Sequence, residues 1–393
     1  MTRGQPALRL KRGHEAARSH PWIFKGDVAD VSDVEPGAIV TVVDSAGRFV
    51  GRGFYNPRPA LCCRVVTWTD EPLDAALFER RIKRAVSLRS PGSSGGPPAL
   101  CRLVWSEADG LPGLVVDRYG PVLIVQCLTL GMARERSAIA DVLARLFDDA
   151  PIFAADEDVA ARLEGFEAAR GWIRGAGPET IEVDEEGVRF AMKLGAGHKT
   201  GLYLDQRENR VRIAGLAAGR DILDAFCYTA GFACHALGGG ARRAVCIESS
   251  PDAIAAARRN LELNGVAARA DVHAANVFDE LRRLERTGVR FGLIVLDPPP
   301  FARSRSAVPA ASRGYKEINL RALHLLEPNG HLLTFSCSHH ISAGLFEDIC
   351  RQAAADARVR PRVVAHLTQA ADHPVLLTVP ETHYLKGLHL QLP

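Results

Sequence analysis

The stretch Phe291-Gly292-Leu293-Ile294-Val295-Leu296-Asp297-Pro298-Pro299-Pro300-Phe301 decides the fold. Its first six residues are a bounded, continuously apolar run, the pattern of a strand buried on both faces of a parallel sheet. Proline has no N–H to give to a sheet ladder. The three prolines therefore stop the strand and leave Asp297 at the rim where parallel sheets bind ligands. Taken alone, the same pattern fits a strand terminus with a solvated carboxylate. Two more acid-ended strands and a cysteine-bearing strand around it in the chain change that reading.

Upstream, residues 221–226 read as a strand, Cys227-Tyr228-Thr229-Ala230-Gly231 as a turn, and Phe232 opens a helix. Residues 243–248 form the next strand and end in Glu248. Ser250-Pro251-Asp252 then caps a helix over 253–264, with Pro251 suited to its first turn. This is a βαβ unit of the nucleotide-binding kind. The glycine turn permits close approach of a ligand, and an acid ending the second strand can accept both ribose hydroxyls. The turn lacks G-x-G-x-x-G, so no pyrophosphate is cradled. The expected ligand carries adenosine without phosphate, and S-adenosylmethionine is the common one. Asn276 ends the third strand, 271–275, where an amide or acid can meet the adenine amino group. An α/β hydrolase or reductase finds no G-x-S-x-G and no phosphate loop here.

Downstream, a helix over 318–326 and a Pro328-Asn329-Gly330 turn lead into Leu332-Leu333-Thr334-Phe335-Ser336-Cys337-Ser338, a strand that delivers a cysteine at its end. The ordinary reading of a single cysteine is a buried, inert one. If Asp297 and Cys337 end adjacent parallel strands, however, both face the cleft that holds the cofactor. Carbon 5 of a pyrimidine is a poor nucleophile. Thiolate addition at carbon 6 makes the ring enamine-like, so that carbon 5 can attack a sulfonium methyl. Nitrogen methylation needs no cysteine.

The chain has 393 residues, 47% apolar and 24% charged, with a net charge of +3. That length suggests two or three domains, and the composition is that of a soluble globular protein with no long apolar segment and no membrane partner. The first ten residues contain no apolar core of a secretory signal. Nine cysteines without a C-x-x-C pair argue against a zinc site or a disulfide framework and place the chain in a reducing cytoplasm. Arg3, Arg9, Lys11, Arg12, Arg18 and Lys25 face only Glu15 at the N-terminus, a basic surface that suits nucleic acid as well as water.

Residues 1–70 read as a small β-rich unit with runs at 39–43 and 61–66 separated by turn chemistry. His20-Pro21-Trp22-Ile23-Phe24, Pro36-Gly37-Ala38-Ile39-Val40 and Gly51-Arg52-Gly53-Phe54-Tyr55-Asn56, in that order, resemble the PUA-like RNA-binding domain. Residues 75–185 read as a mixed α/β region. Its first helix, 74–90, has Leu77, Ile82, Val86 and Leu88 on one side and Arg80, Arg81, Lys83 and Arg84 on the other. Strands follow at 102–105, 114–119 and 122–126, a helix at 137–147, and last strands at 180–183 and 188–191. Strand and helix alternate over 186–393.

His198-Lys199-Thr200-Gly201-Leu202-Tyr203-Leu204-Asp205-Gln206-Arg207-Glu208-Asn209-Arg210, the Asp-x-Phe-x-Tyr-Thr-x-Gly-Phe run at 224–232, Asp-Pro-Pro-x-Phe, Arg313-Gly314-Tyr315-Lys316-Glu317-Ile318-Asn319 and Phe-Ser-Cys-Ser resemble the RlmI-type 23S rRNA cytosine-C5 methyltransferases. So do Gln369-Ala370-Ala371-Asp372-His373-Pro374 and Tyr384-Leu385-Lys386-Gly387. The resemblance spans nearly the whole chain. It implies an N-terminal β-barrel PUA-like domain, a small central α/β domain and a Rossmann-like class I methyltransferase domain with a mostly parallel seven-stranded sheet. It also implies S-adenosylmethionine as cofactor, 23S rRNA or a large-subunit precursor as substrate, no metal, and a homodimer.

Carried over by position, the resemblance makes Cys337 the nucleophile on carbon 6 and Asp297 the group that hydrogen-bonds the cytosine and steadies the enamine beside the cofactor. Asp224, Phe226, Tyr228 and Gly231 enclose the methionine part of the cofactor, with Glu248 on the ribose and Asn276 near adenine. Gln206 and Arg207 lie near the cofactor carboxylate or the target backbone. Lys199, Arg313 and Lys316 hold phosphates or make exposed ion pairs. Pro300 departs from the family at a position where Lys is frequent and a second cysteine occurs in two-cysteine relatives, so another base must take the carbon 5 proton. Asn276 stands where an acid is usual. A same-fold N-methyltransferase acting on a purine, a non-catalytic RNA-binding ribosome-assembly factor and a small-molecule methyltransferase remain the alternatives.

Overall fold

The computed structural model describes residues 6–13, 20–90, 96–195 and 201–393. The chain divides into two compact units. The first runs to Ile181 and also takes in Lys193–Gly201 and Asp372–Thr382; the second comprises Glu182–Met192, Leu202–Ala371 and His383–Pro393.

In the first unit, β1 (Ala7–Leu10), β2 (Trp22–Phe24), β3 (Val28–Val31), β4 (Ile39–Val43), β5 (Phe49–Tyr55) and β6 (Leu61–Thr67) form one sheet in the order β2-β6-β5-β4-β1-β3. Alternating apolar side chains, among them Leu8, Leu10, Val40, Val42, Val50 and Val65, make its core. Among the described residues β2 and β3 are the sheet's two edges, so the expected barrel is a six-stranded sheet without a closing pairing.

Helix α1 (Ala75–Leu88) starts at Asp74, whose carboxylate accepts from the Leu77 amide at 3.0 Å. It buries Leu77, Phe78, Ile82 and Ala85. Leu88, expected on that face, is 70% exposed. Arg81 also leaves the expected basic face, because its guanidinium donates to the carbonyls of Val66 and Gly110.

Strands β7 (Leu100–Trp105), β8 (Leu114–Tyr119) and β9 (Val122–Cys127), helices α2 (Leu130–Arg134) and α3 (Arg136–Leu146), β10 (Ile152–Ala155), α4 (Asp158–Glu164) and β11 (Arg170–Arg174) follow. They build a five-stranded sheet, β11-β10-β9-β8-β7. Strands β12 (Thr180–Glu185) and β13 (Val188–Lys193) pair with each other.

The second unit alternates as the sequence predicts: α5 (Arg207–Ala214), β14 (Asp221–Ala225), α6 (Gly231–Gly238), β15 (Arg243–Glu248), α7 (Pro251–Leu263), β16 (Ala270–Ala274), α8 (Val277–Thr287) and β17 (Phe291–Leu296). Then come α9 (Val308–Leu325), β18 (Leu326–Ser336), α10 (Ala343–Asp356), β19 (Arg362–Thr368) and β20 (Lys386–Gln391). The sheet order is β16-β15-β14-β17-β18-β20-β19. Its first five strands are parallel, and β20 runs antiparallel to β18 and β19. The chain leaves β14 toward β15 and later returns on its other side as β17, which opens a crevice beyond the carboxyl ends of these strands.

Two local expectations differ. The helix placed at 318–326 begins ten residues earlier, at Val308, and so carries Arg313 and Lys316. The Pro328-Asn329-Gly330 turn is a bulge inside β18. Phe291 pairs with Leu326 but Leu293 with His331, and Asn329 takes φ 59° to pass the extra residues. No described helix is long and apolar enough to cross a membrane.

Candidate active site

The site lies within the second unit, at the carboxyl ends of β14, β15, β17 and β18. Register fixes its layout: Asp224 is level with Cys246 and Val295, and Leu296 with Thr334. The residues that follow these strands, Asp297 among them, emerge at one rim.

The turn after β14 holds residues larger than glycine in the left-handed region that glycine favours. Phe226, Tyr228 and Ala230 have φ of 65°, 49° and 60°. An L-residue in that region costs about 1–2 kcal/mol. Left-handed backbone at three non-glycine residues in one turn is strain, and backbone strain of this kind concentrates at functional sites. Gly231 also makes room within the protein. A Cβ there would sit 3.0 Å from Arg210 Cδ, so the missing side chain leaves space for that arginine. Arg210 is buried and donates to both oxygens of Glu185 at 2.6 Å and to the Tyr203 carbonyl at 2.8 Å. Burial raises the Glu185 carboxyl, but the Arg210 charge and a 3.0 Å bond to His235 outweigh it and hold it at about 2. This network braces the loop from beneath.

Three carboxylates converge on the crevice. Asp224 is fully buried. Its Oδ2 accepts from the Ala233 amide at 3.0 Å, while Oδ1 has no partner among the described residues. Burial, with Asp297 and Glu248 adding like charge, pushes its pKa up to about 7. Glu248 is oriented by backbone: Oε1 accepts from Ser249 and Ser250 at 2.7 and 2.9 Å, and Oε2 from Tyr228 at 3.1 Å. Half-buried Asp297 begins the Asp-Pro-Pro loop. A groove beside Glu248 is lined by Ser249, Pro251, Ile254, Ala255, Arg258, Ala274, Ala275 and Asn276, and its lining includes neither Asp297 nor Cys337. Asn276 caps α8, its Oδ1 accepting from Phe278 and Asp279 at 3.0 and 3.4 Å. That oxygen is committed to the helix, and the amide nitrogen is what Asn276 has left to offer a ligand.

Cys337 follows β18 directly. It is the one cysteine of nine that is not buried, and its Sγ lies 3.8 Å from the Pro298 carbonyl of the Asp-Pro-Pro loop. The two serines around it hold its direction. Ser336 Oγ donates to Tyr315 Oη at 3.0 Å, and Ser338 Oγ bonds the same hydroxyl at 2.9 Å and accepts from the Ala302 amide at 3.2 Å. Side chains alternate along an extended chain, so serines fixed toward Tyr315 on α9 send Cys337 the other way. This explains why Phe-Ser-Cys-Ser and Arg-Gly-Tyr occur together in one sequence.

The remaining expected residues divide. Gln206 is buried; its Oε1 accepts from Asn209 at 2.7 Å and its Nε2 has no partner among the described residues. Arg207 opens α5, half-buried. Arg313 is exposed on α9, whereas Lys316 is in an ion pair with Asp356 at 2.7 Å. Lys199 lies outside the described residues. The sequence reading assigned no role to Tyr203 and Lys386. Tyr203 packs edge-on against Tyr228 at 5.0 Å, and burial raises its pKa, with Tyr228, Asp297 and Cys337 adding to the shift. Lys386 is buried and donates to the Ser338 carbonyl at 2.7 Å. Both lay inside quoted motifs, which was the signal available.

These residues fit a bound S-adenosylmethionine. An orphaned, buried carboxylate oxygen meets a cationic ligand's need, a carboxylate pre-set by three amides meets a ribose diol, and a groove with Ile254, Ala255 and Ala275 in its wall continues beyond it. Sheet order and rim together define a class I S-adenosylmethionine-dependent methyltransferase. Residues 103–374 match the family described as S-adenosylmethionine-dependent methyltransferase, and residues 8–68 match the PUA-like domain. Ribosomal RNA large subunit methyltransferase I of Klebsiella pneumoniae (strain 342) is 39% identical over 388 residues, 97% of each chain. The protein of that name from Erwinia tasmaniensis is 38% identical over 386 residues, covering 97% of this chain and 98% of its own. The chain belongs to the ribosomal RNA large subunit methyltransferase I family. The solved structure of SMU.776 with SAH shares the fold at TM-score 0.85 and 18% identity, over 98% of this chain and 99% of that one.

Proposed function

We propose that this protein methylates carbon 5 of a cytosine in 23S rRNA through a covalent adduct between Cys337 and carbon 6. The observation that carries the reading is Cys337 itself: eight cysteines are buried, and the ninth stands at a strand end against the Asp-Pro-Pro loop. The names of the relatives and the PUA-like domain support a large-subunit RNA as substrate. Nine cysteines without a disulfide accord with a reducing cytoplasm.

S-adenosylmethionine, when bound, supplies an electrophilic methyl group on a sulfonium. Glu248 takes the ribose hydroxyls. Asp224 offers its open oxygen to the methionine ammonium, inside the turn of Phe226, Tyr228 and Gly231. Asn276 donates to an adenine ring nitrogen rather than accepting from the amino group, because its oxygen is spent on the cap. Gln206 and Arg207 suit the cofactor carboxylate or the target backbone, and Arg313 suits a phosphate.

The Cys337 thiolate forms the bond to carbon 6, and the π electrons of the 5,6 double bond move to carbon 5. Carbon 5 then takes the methyl as the carbon–sulfonium bond breaks. Asp297 hydrogen-bonds the ring and steadies the enamine. A base removes the carbon 5 proton, the double bond re-forms and the thiolate leaves. The target base must be single-stranded or flipped out to reach this rim.

Transfer from labelled S-adenosylmethionine to 23S rRNA from cells lacking the protein tests the proposal. We expect 5-methylcytidine with wild type and a loss of at least about 10³-fold with Cys337→Ala, the range for removal of a nucleophile. A methylated purine, or retained activity in the variant, overturns it.

A further inference from the structure

Lys386 is a charged side chain buried on β20 for which the mechanism above has no use. It is placed by an unusually close contact between strands. Lys386 pairs with Ser336 and Gly387 with Phe335 across β18 and β20. A Cβ on Gly387 would fall 2.5 Å from Phe335 Cδ1 and 2.9 Å from the Thr334 carbonyl, so only glycine lets β20 approach β18 this closely. The Lys-Gly pair of the Tyr384-Leu385-Lys386-Gly387 motif thus sets a lysine against the end of the strand that carries the cysteine. From there Nζ donates to the Ser338 carbonyl, on the residue that follows Cys337, at 2.7 Å.

That carbonyl is the partner of Lys386 among the described residues; no carboxylate meets its charge. A buried ammonium held by a carbonyl alone is incompletely compensated. Burial lowers the lysine to about 8, and Cys337 is the charged group that acts in the opposite direction. Several elements surround Cys337: Asp297 after β17, Tyr203 ahead of α5, Tyr315 on α9 and Lys386 on β20. A carboxylate at Asp297 opposes a thiolate; Tyr203 and Tyr315, whose pKa values burial raises, are neutral and add no charge. Lys386 favours the thiolate.

We propose that Lys386 is a positioning and activating residue for Cys337: its bond to Ser338 holds the strand end, and its ammonium stabilises the thiolate formed when the Cys337 S–H bond breaks and the proton passes to water. Each charge compensates the other, so the lysine is fully paired only when the cysteine is ready to attack. The inference rests on the nucleophile reading above, but its test does not need methyl transfer.

Because Cys337 is the only cysteine that is not buried, its alkylation by iodoacetamide can be followed against pH by peptide mass spectrometry in the full-length protein. In wild type we expect a midpoint below the value of about 8.5 for an unperturbed thiol. Lys386→Gln keeps a donor for the Ser338 carbonyl and removes the charge; its midpoint should rise by about one pH unit, a tenfold slower reaction at pH 7. Lys386→Arg should stay within about threefold of wild type. A wild-type midpoint at or above 8.5, or a folded Lys386→Gln protein with the wild-type profile, overturns the proposal. If Cys337→Ala retains methyl transfer, the nucleophile reading fails separately, and the alkylation profile still reports whether the lysine governs the thiol.

Discussion

The regions around the five-stranded and the seven-stranded sheets both bury charge, and they treat it in opposite ways. In the five-stranded sheet, Arg102 donates to both oxygens of Asp117 at 2.8 Å. Arg89 holds Asp109 through two bonds of 2.9 and 2.8 Å, and Arg136 pairs with buried Asp156. In these three pairs each charge has its opposite within the chain. At the rim of the seven-stranded sheet, among the described residues, Asp224 keeps an oxygen without a partner and Lys386 has a carbonyl in place of a carboxylate. Charge buried for architecture is compensated inside the protein; charge buried for chemistry waits for a ligand or a transient partner.

The largest effect that would break this comparison is on the architectural side. Asp117→Asn removes the carboxylate charge that compensates buried Arg102, which should cost about 3–5 kcal/mol. Urea unfolding measures it, and a variant as stable as wild type would place the pair among expendable surface contacts.

Asp224 should behave in the reverse sense. Its carboxyl sits at about 7 against an ordinary 3.8, so the folded state holds the proton more firmly than the unfolded state. Its stabilising contribution is complete below 3.8 and is lost as pH rises through about 7. Asp224→Asn should therefore raise the Tm of the cofactor-free protein at pH 8 while weakening S-adenosylmethionine binding about 10- to 100-fold, the worth of a hydrogen bond to a charged group. In wild type the affinity should rise with pH through 7, because the cationic ligand favours the carboxylate. Calorimetry reads both, and a variant that loses Tm at pH 8 contradicts the assignment.

The smallest effect sharpens the role of one amide. Asn276→Asp keeps the cap on α8 and adds a charge that its N-terminus favours, so Tm should hold or rise by about 0.3–1 kcal/mol equivalent. It removes the N–H donor, and cofactor affinity should fall a few-fold. Unchanged affinity would confine Asn276 to capping.

Much of this was legible in the sequence because buried parallel strands announce themselves. The runs ending at Glu248 and Leu296 are apolar, bounded by turns and short enough to be nothing else, and both strands have the expected limits. What stayed hidden depended on partners distant in the chain. Lys386 reaches Cys337's strand from an antiparallel neighbour, which no local pattern reports. Gly231 looked like room for a ligand, and only the fold shows Arg210 in that space. Phe226 and Tyr228 carry a backbone that composition argues against, because the loop around them imposes it. Leu88 fell at the fraying end of its helix, where periodicity no longer dictates burial. The Pro-Asn-Gly signal marked an irregularity in the chain, but parallel pairing with β17 before and after it makes it a bulge rather than a turn.

The central claim is that Cys337 becomes covalently bonded to the target ring, and a trapped adduct tests it most directly. In a 23S rRNA fragment containing 5-fluorocytidine, fluorine occupies the position from which the proton must leave, so the methylated adduct cannot collapse. After incubation with S-adenosylmethionine, digestion and mass spectrometry, the account predicts a Cys337 peptide carrying the methylated fluoropyrimidine nucleotide, absent without cofactor and absent in Cys337→Ala. Wild-type protein that methylates ordinary RNA but leaves no adduct on Cys337 would contradict it.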